Sequence, residues 1–137
     1  MKLVLEADKE QTALWESLRT TAARPGLDLL VLFGSRARGD FRADSDWDFG
    51  YMAGPDFDPL ALAADLGRAL ASDRIDLANL QRAGGVLRYH VARDGRVVLE
   101  ARPGLFERFW LDAVGFWCDA AAILVPGYEG VLERLGP

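Results

Sequence analysis

The sequence predicts one domain of mixed α/β (α+β) class, in which helices flank a small mixed sheet. Its 137 residues suit a single compact domain, so residues 1–137 are expected to form one unit. Half of the residues are hydrophobic and 27% are charged, which is typical of a globular chain. Short apolar runs of strand length alternate with longer segments of helical periodicity, and this alternation indicates helices packed on a sheet.

The first half of the chain predicts one helix and two strands. Residues 6–23 carry apolar side chains at helical spacing, and Pro25-Gly26 ends the helix. Residues 28–33 form a continuous apolar run, as in a buried strand. Residues 46–53 alternate between acidic and aromatic side chains, with the period of two of a strand. The glycine-containing polar loop between these strands, residues 34–45, allows them to pair as a hairpin.

The second half predicts three helices and two strands. A helix is expected over residues 59–71, with a proline at its start. A strand over 74–80, a helix over 84–93 and a short strand over 96–100 follow. The last element is a long aromatic-rich helix over residues 105–124, which has apolar side chains on more than one stripe.

Charge and composition exclude several classes of protein. The chain has 16 basic and 21 acidic residues, a net charge of −5, and a general nucleic-acid binder would instead need a basic face. Its single cysteine, Cys118, excludes an internal disulfide framework. The start of the chain turns charged before a signal-like apolar run develops, and no run is long enough to span a membrane. A cytoplasmic protein is therefore expected.

Two acidic residues at the start of the second strand are the first candidates for chemistry. On a strand, Asp46 and Asp48 point to one face, roughly 6–7 Å apart, while Trp47 and Phe49 point to the core. Two neighbouring carboxylates favour a neutralising cation, and Mg²⁺ typically takes one or two carboxylates plus substrate phosphates. Gly50 continues the acidic row without a side chain, which leaves space for a ligand. The alternative is a solvated strand face.

Asp76 is a third candidate. It lies between Ile75 and Leu77, and alternation should bury those two and turn Asp76 to the opposite face. An acid within an otherwise apolar strand usually serves a site. Beside Asp46 and Asp48 it would complete a cup of three carboxylates, which suits two metal ions about 3.5–4 Å apart.

The loop after the first strand has the composition of a phosphate-binding turn. Backbone N–H groups at Gly34 and Ser35 can cradle phosphate, and the Ser35 hydroxyl can donate to it. Arg36 and Arg38 are the candidate arginines for phosphate oxygens. The loop is not a Walker P-loop, because Asp40-Phe41 stands where Lys-Ser/Thr is required.

These residues together resemble a known family. Gly34-Ser35, ten residues and then Asp46-x-Asp48 resemble the Gly-Ser-x10-Asp-x-Asp motif of nucleotidyltransferases related to DNA polymerase β. Residues 34–39, Gly-Ser-Arg-Ala-Arg-Gly, resemble the minimal nucleotidyltransferase family in particular, and Asp76 fits the position of its third acid. Residues 87–100 show a weaker similarity, which is to the MntA-type antitoxins. Trp47 and Phe49 depart from the aliphatic residues usual around the second acid.

The resemblance implies a nucleotidyltransferase fold and a metal-dependent transfer of AMP from ATP. MntA-type proteins are paired with a HEPN-domain toxin, usually an RNase from the adjacent gene, and silence it by adding AMP to a tyrosine. By resemblance, Asp46 and Asp48 bind both Mg²⁺ ions, and Asp76 binds the catalytic ion and helps to deprotonate the hydroxyl. Gly34 and Ser35 would hold the triphosphate.

Two other functions stay open. One is nucleotidyl transfer to a small molecule such as an aminoglycoside, although those enzymes usually carry an additional substrate domain. The other is a non-catalytic antitoxin that neutralises its partner by docking, through a helix over residues 105–124 that could also support homo- or hetero-oligomers. The same helix could equally be a core helix buried on two sides.

Overall fold

The structure is a computed structural model that describes the backbone of residues 2–124 and the side chains of residues 9–120. The domain predicted for residues 1–137 extends past these limits at both ends. The helices of the described residues are α1 (Lys2–Ala22), α2 (Ser35–Arg38), α3 (Pro59–Leu70), α4 (Gly85–Asp94) and α5 (Leu105–Leu124). The strands are β1 (Leu27–Phe33), β2 (Trp47–Ala53), β3 (Ile75–Asn79) and β4 (Arg96–Glu100).

The four strands form one sheet in the order β3-β2-β1-β4. Strand β1 is antiparallel to both of its neighbours, β2 and β4. Strands β2 and β3 are parallel, because α3 crosses over between them and returns the chain to the same end of the sheet. The predicted small mixed sheet is therefore confirmed.

Helices cover both faces of the sheet. Alternation along β1 and β2 sends Leu30 and Phe49 to the face that α1 and α3 cover. It sends Leu29 and Val31 to the opposite face, which α4 and α5 cover. Because both of its faces are buried, β1 has the continuous apolar sequence that predicted a buried strand.

Helix α3 sets the position of β3 beside β2. Asp58 caps its first turn by accepting hydrogen bonds from the backbone N–H groups of Leu60 and Ala61, at 3.1 and 3.2 Å. Pro59 follows at the first helical position, where no N–H is needed. The helix ends at Ala71, whose φ of 49° turns the chain toward β3.

The structure differs from the sequence prediction at several element boundaries. Strand β2 begins at Trp47, one residue later than predicted, so Asp46 lies just before the strand. The predicted loop 34–45 contains the single helical turn α2, whose four residues have no apolar periodicity that would predict a helix. Helix α1 begins at Lys2 rather than at residue 6. The order of the other elements is as predicted.

Helix α5 has one buried and one exposed face. Phe109 and Ala113 pack in the core against α4, whereas Trp110, Leu111 and Phe116 are exposed large apolar side chains. Large apolar side chains therefore occur outside the buried stripe, as the sequence predicts, but at 3.6 residues per turn these three do not share one face of the helix. No helix in residues 2–124 has the length and apolarity to cross a membrane.

Candidate active site

Asp48 and Asp76 are register partners on the parallel strands β2 and β3. Partnered residues of adjacent strands point to the same face of a sheet, so the two carboxylates lie side by side. On β1, the partner of Asp48 is Phe33, the residue directly before the Gly34 turn. The end of β1 and the starts of β2 and β3 therefore meet at one place, which the topology builds from residues far apart in the sequence.

Asp46 lies close to this pair but faces an arginine. Its Oδ1 is 3.6 Å from Nη1 of Arg74, and both side chains are 57% exposed. The same Nη1 donates a hydrogen bond of 3.0 Å to the carbonyl of Asp44. The N–H of Trp47 donates to the carbonyl of Arg74 at 2.8 Å, which ties the start of β2 to the start of β3. Sequence reasoning missed Arg74, since a basic residue next to a strand carries no signal of its own.

The charges around Asp48 favour a cation. Partial burial raises the pKa of Asp48 above its ordinary value, and the negative charges of Asp76 and Asp46 raise it further. The positive charge of Arg38 acts in the opposite direction. A bound cation would stabilise the ionised form of a carboxylate that is partly removed from water and lies near two other carboxylates.

The donor set suits a hard divalent cation, although the side chains are not gathered around one. No three carboxylate, imidazole or thiolate groups among the described residues converge closely enough to hold a metal ion. Asp48 and Asp76 share a face, whereas Asp46 is turned to Arg74. Carboxylate oxygens are the ligands that Mg²⁺ prefers, and Asp48 and Asp76 carry two such groups on one face with the exposed Asp46 nearby, so the residues fit such an ion.

The Gly34 turn runs against Asp48. Gly34 has φ 73° and ψ −158°, a conformation that only glycine adopts readily. A Cβ placed on Gly34 would lie 2.5 Å from Oδ2 of Asp48. Ser35 then opens helix α2, whose first turn is closed by the N–H groups of Ala37 and Arg38, each 3.1 Å from the carbonyl of Gly34. The predicted phosphate turn thus adjoins the predicted metal carboxylate.

Arg36 is enclosed by the loop that connects β1 to β2. Its Cζ lies 4.3 Å from the ring centroid of Phe41 and 4.4 Å from that of Trp47. Its Nη2 donates to the carbonyls of Ala43 and Ser45 at 3.2 and 3.1 Å. Through these contacts the guanidinium stabilises the loop between β1 and β2, a role that the sequence did not predict. Binding of nucleotide by Arg36 stays a prediction.

Arg38 points to two carboxylates. Its Nε is 3.3 Å from Oδ2 of Asp40, and its Nη1 is 2.9 Å from Oδ2 of Asp94. Asp94 was not predicted as part of the site. A signal was present, because an acid in the last turn of a helix opposes the helix dipole and needs a compensating partner.

The prediction for Gly50 is wrong. A Cβ on Gly50 would lie 2.8 Å from Cδ2 of Leu80, and the side chain of Leu80 is fully buried. The space beside Gly50 is therefore filled by the protein itself and does not receive a ligand. Leu80 directly follows β3, and the sequence does not show that it folds back over β2.

A known family and known proteins are similar to this chain over more than half of its length. Residues 17–103, more than half of the chain, match the family described as polymerase beta, nucleotidyltransferase. The protein adenylyltransferase MntA of Aphanizomenon flos-aquae is 37% identical over 105 residues, which are 68% of this chain and 70% of that protein. The protein of the same name from Shewanella oneidensis is 39% identical over 75 residues, 53% of each chain.

A solved structure has the same fold. A crystal structure of a toxin–antitoxin with AMP-PNP superposes with a TM-score of 0.62 and 27% sequence identity, and the match covers 88% of this chain and 93% of that chain. The family match spans the Gly34 turn and all three acids, Asp46, Asp48 and Asp76. This chain therefore belongs to the polymerase beta nucleotidyltransferase family, and it is similar to the MntA-type adenylyltransferases.

Proposed function

We propose that this chain is a protein adenylyltransferase that transfers AMP from ATP to a tyrosine hydroxyl of a partner HEPN-domain toxin. The observation that carries the proposal is the contact of the Gly34 turn with Asp48, the register partner of Asp76. A nucleoside triphosphate on that turn would have its phosphates beside the carboxylates. The reaction requires ATP, and we place the protein in the cytoplasm for that reason.

The reaction is a phosphoryl transfer in which one bond forms and one breaks. The hydroxyl oxygen of the acceptor attacks the α-phosphorus of ATP, the bond from that phosphorus to the β-phosphate oxygen breaks, and pyrophosphate leaves. Asp76 receives the proton of the attacking hydroxyl. Because charge spreads over the phosphoryl oxygens in the transition state, positioning and electrostatics supply most of the rate enhancement.

Two Mg²⁺ ions are part of the proposal. Asp48 and Asp76 would bind them from the strands, and Asp46 would join after leaving its ion pair with Arg74. When bound, such ions neutralise the carboxylates and the phosphate oxygens and polarise the α-phosphate. The pKa of Asp48, raised first by partial burial and then by the negative charges of Asp76 and Asp46, supports this assignment, because a cation would stabilise the ionised carboxylate.

The turn and α2 supply the nucleotide contacts. Gly34 lets the backbone approach the carboxylates, and the N–H and hydroxyl of Ser35 would bind the triphosphate. Arg38 lies close enough to affect Asp48 and is the arginine that we assign to the phosphates. Arg36, enclosed by Phe41 and Trp47, would act by holding the loop.

The test is to incubate the chain with ATP, Mg²⁺ and the HEPN-domain product of the adjacent gene, and to weigh that product by mass spectrometry. We expect a gain equal to AMP, lost with Asp48→Asn and Asp76→Asn. Asp65→Asn is the matched control, because Asp65 also contacts two arginines but lies on α3, away from the site. An unmodified product with the wild-type chain would contradict the proposal.

Docking without catalysis is the second candidate function. The exposed Trp110, Leu111 and Phe116 on α5 favour it, since a small domain rarely exposes several large apolar side chains on one helix. If the wild-type chain and Asp48→Asn inhibit the toxin equally, and no AMP is transferred, docking explains the function. If only the wild-type chain inhibits the toxin, catalysis explains the function.

A further inference from the structure

Asp94 ends helix α4 with its carboxylate between two arginines. Its Oδ2 accepts from Nη1 of Arg38 and from Nη2 of Arg93, both at 2.9 Å, and its Oδ1 accepts from Nε of Arg93 at 2.9 Å. The side chain of Asp94 is only 8% exposed. An arginine of the turn after β1 is thus held by a carboxylate that lies 56 residues further along the chain.

Local preference alone does not explain an acid at this position. The carboxyl end of a helix carries partial negative charge, so a cation is favoured there and Asp94 is disfavoured. The two arginines compensate: the hydrogen bonds of Arg93, and then that of Arg38, lower the pKa of Asp94 below its ordinary value. Partial burial opposes this shift and does not overcome it.

The backbone next to Asp94 is held in place by close packing. Gly95 donates its N–H to the carbonyl of Val91 at 2.8 Å. A Cβ on Gly95 would lie 2.7 Å from Cγ1 of Val31 and 3.3 Å from Cζ of Phe106, so only glycine fits at this position. Strand β4 starts at the next residue and pairs with β1, which leads into the Gly34 turn. Asp94 therefore has a fixed position relative to that turn.

Arg38 lies within reach of the carboxylate site. Its positive charge lowers the pKa of Asp48, against the combined effect of burial, Asp76 and Asp46. Its Nε and Nη1 contact Asp40 and Asp94, and a guanidinium has five N–H donors, so donors remain for a phosphate oxygen. Of its two partners, Asp40 is well exposed and Asp94 is buried, which makes Asp94 the one that restricts the arginine.

We propose that Asp94 is a positioning residue that fixes the guanidinium of Arg38 beside the Gly34 turn, so that the triphosphate meets a cation already in place. Asp94 itself does not touch the nucleotide. The inference rests on the proposed function only in needing a triphosphate on that turn. Preorganisation raises affinity, because an arginine already restricted in rotamer loses less freedom when the ligand binds.

The test is a double-mutant cycle on the binding of ATP with Mg²⁺ by the full chain, measured by isothermal titration calorimetry. We expect Asp94→Ala and Asp94→Asn to weaken the binding of ATP roughly fivefold. This effect is smaller than the loss of a complete charge-assisted hydrogen bond to the ligand would cause. Arg38→Ala should weaken it by at least as much. In the Arg38→Ala background, the Asp94 substitutions should cause no further loss. Asp94→Glu should recover part of the affinity.

Two measurements separate this role from a general loss of structure. Thermal unfolding shows whether each variant is folded at the temperature of the titration. Asp65→Ala, which removes a carboxylate bound to Arg24 and Arg68, should lower stability and leave ATP binding unchanged. Equal losses for Asp94→Ala with and without Arg38 would overturn the inference, as would unchanged affinity. Absence of ATP binding by the wild-type chain would overturn the proposed function, and the inference with it.

Discussion

The backbone of Gly34 lies so close to Asp48 that a Cβ at position 34 would stand 2.5 Å from Oδ2 of that carboxylate. Gly34 directly follows β1 and Asp48 lies at the start of β2, so the antiparallel pairing of the two strands creates this approach. The turn that would bind phosphate and the carboxylate that would bind metal are therefore parts of one hairpin. A change at either residue should affect both functions.

Gly34→Ala should destabilise the fold and stop AMP transfer. The positive φ and the clash with Asp48 together should cost about 2–3 kcal/mol in the free energy of unfolding. Transfer should fall at least tenfold, since the added methyl group displaces the carboxylate. Denaturant unfolding and the mass assay measure the two effects.

Gly39→Ala is the matched control for that substitution. Gly39 also has a positive φ, 93°, but a Cβ there would meet nothing within 4 Å. It should cost only the backbone strain, about 1 kcal/mol, and leave transfer close to that of the wild type. Equal losses of transfer for the two variants would show that backbone strain, and not contact with Asp48, explains the effect.

Asp48→Asn should stabilise the chain at neutral pH while abolishing AMP transfer. The pKa of Asp48 is raised by partial burial and by Asp76 and Asp46, so the ionised form destabilises the fold at pH 7. The amide removes that charge, and we expect a higher Tm than that of the wild type in the absence of divalent ions.

The pH dependence of that difference follows from the direction of the shift. As pH falls through the raised pKa of Asp48 in the folded state, the wild-type carboxyl takes up a proton, and both the cost of burying its charge and the repulsion from Asp76 and Asp46 disappear. Below the ordinary aspartate value of 3.8, the two proteins should have the same Tm. A difference in Tm that persists unchanged below that pH would contradict the electrostatic explanation.

Gly50→Ala should destabilise the core without any contact to nucleotide. Its Cβ would lie 2.8 Å from Cδ2 of Leu80 and 3.0 Å from Cγ of Leu80, which is overpacking and should cost about 1–3 kcal/mol. Leu80→Val together with Gly50→Ala should recover part of the loss, as measured by denaturant unfolding. No recovery in the double variant would mean that a different contact opposes the methyl group.

Arg36→Ala should loosen the loop between α2 and β2. The guanidinium lies between Phe41 and Trp47, and its loss should cost about 1–2 kcal/mol. Hydrogen exchange of residues 39–46 should become faster. Arg36→Lys should recover little, because an ammonium group is not planar and cannot stack on both rings. Arg42→Ala, at an exposed position of the same loop, is the control and should change neither quantity.

Several parts of the site follow from local sequence. The period of two in residues 46–53 and the apolar neighbours of Asp76 predict that Asp48 and Asp76 point away from the α1–α3 core, and the structure places them so. The spacing of Gly34-Ser35 and Asp46-x-Asp48 predicts the family. Both are properties of short segments, because strand alternation and motif spacing depend on residues close together in the chain.

Other parts depend on contacts between distant segments. Asp46 faces Arg74, Arg36 lies between two rings, and Leu80 fills the space beside Gly50. Alternation predicted the side of the sheet for each strand residue. It did not predict which side chain of another segment would occupy the space there, since that depends on packing.

By itself, the sequence determined the class of fold, the family, and the face on which each strand carries its acids, because these depend on local periodicity and motif spacing. Only the tertiary structure decided how the acids are partnered. The parallel register sets Asp76 beside Asp48, and the end of α4 brings Asp94 to Arg38. The partner of each side chain depends on close packing and on the requirement that a buried charge be compensated. These contacts form only when the whole chain has folded.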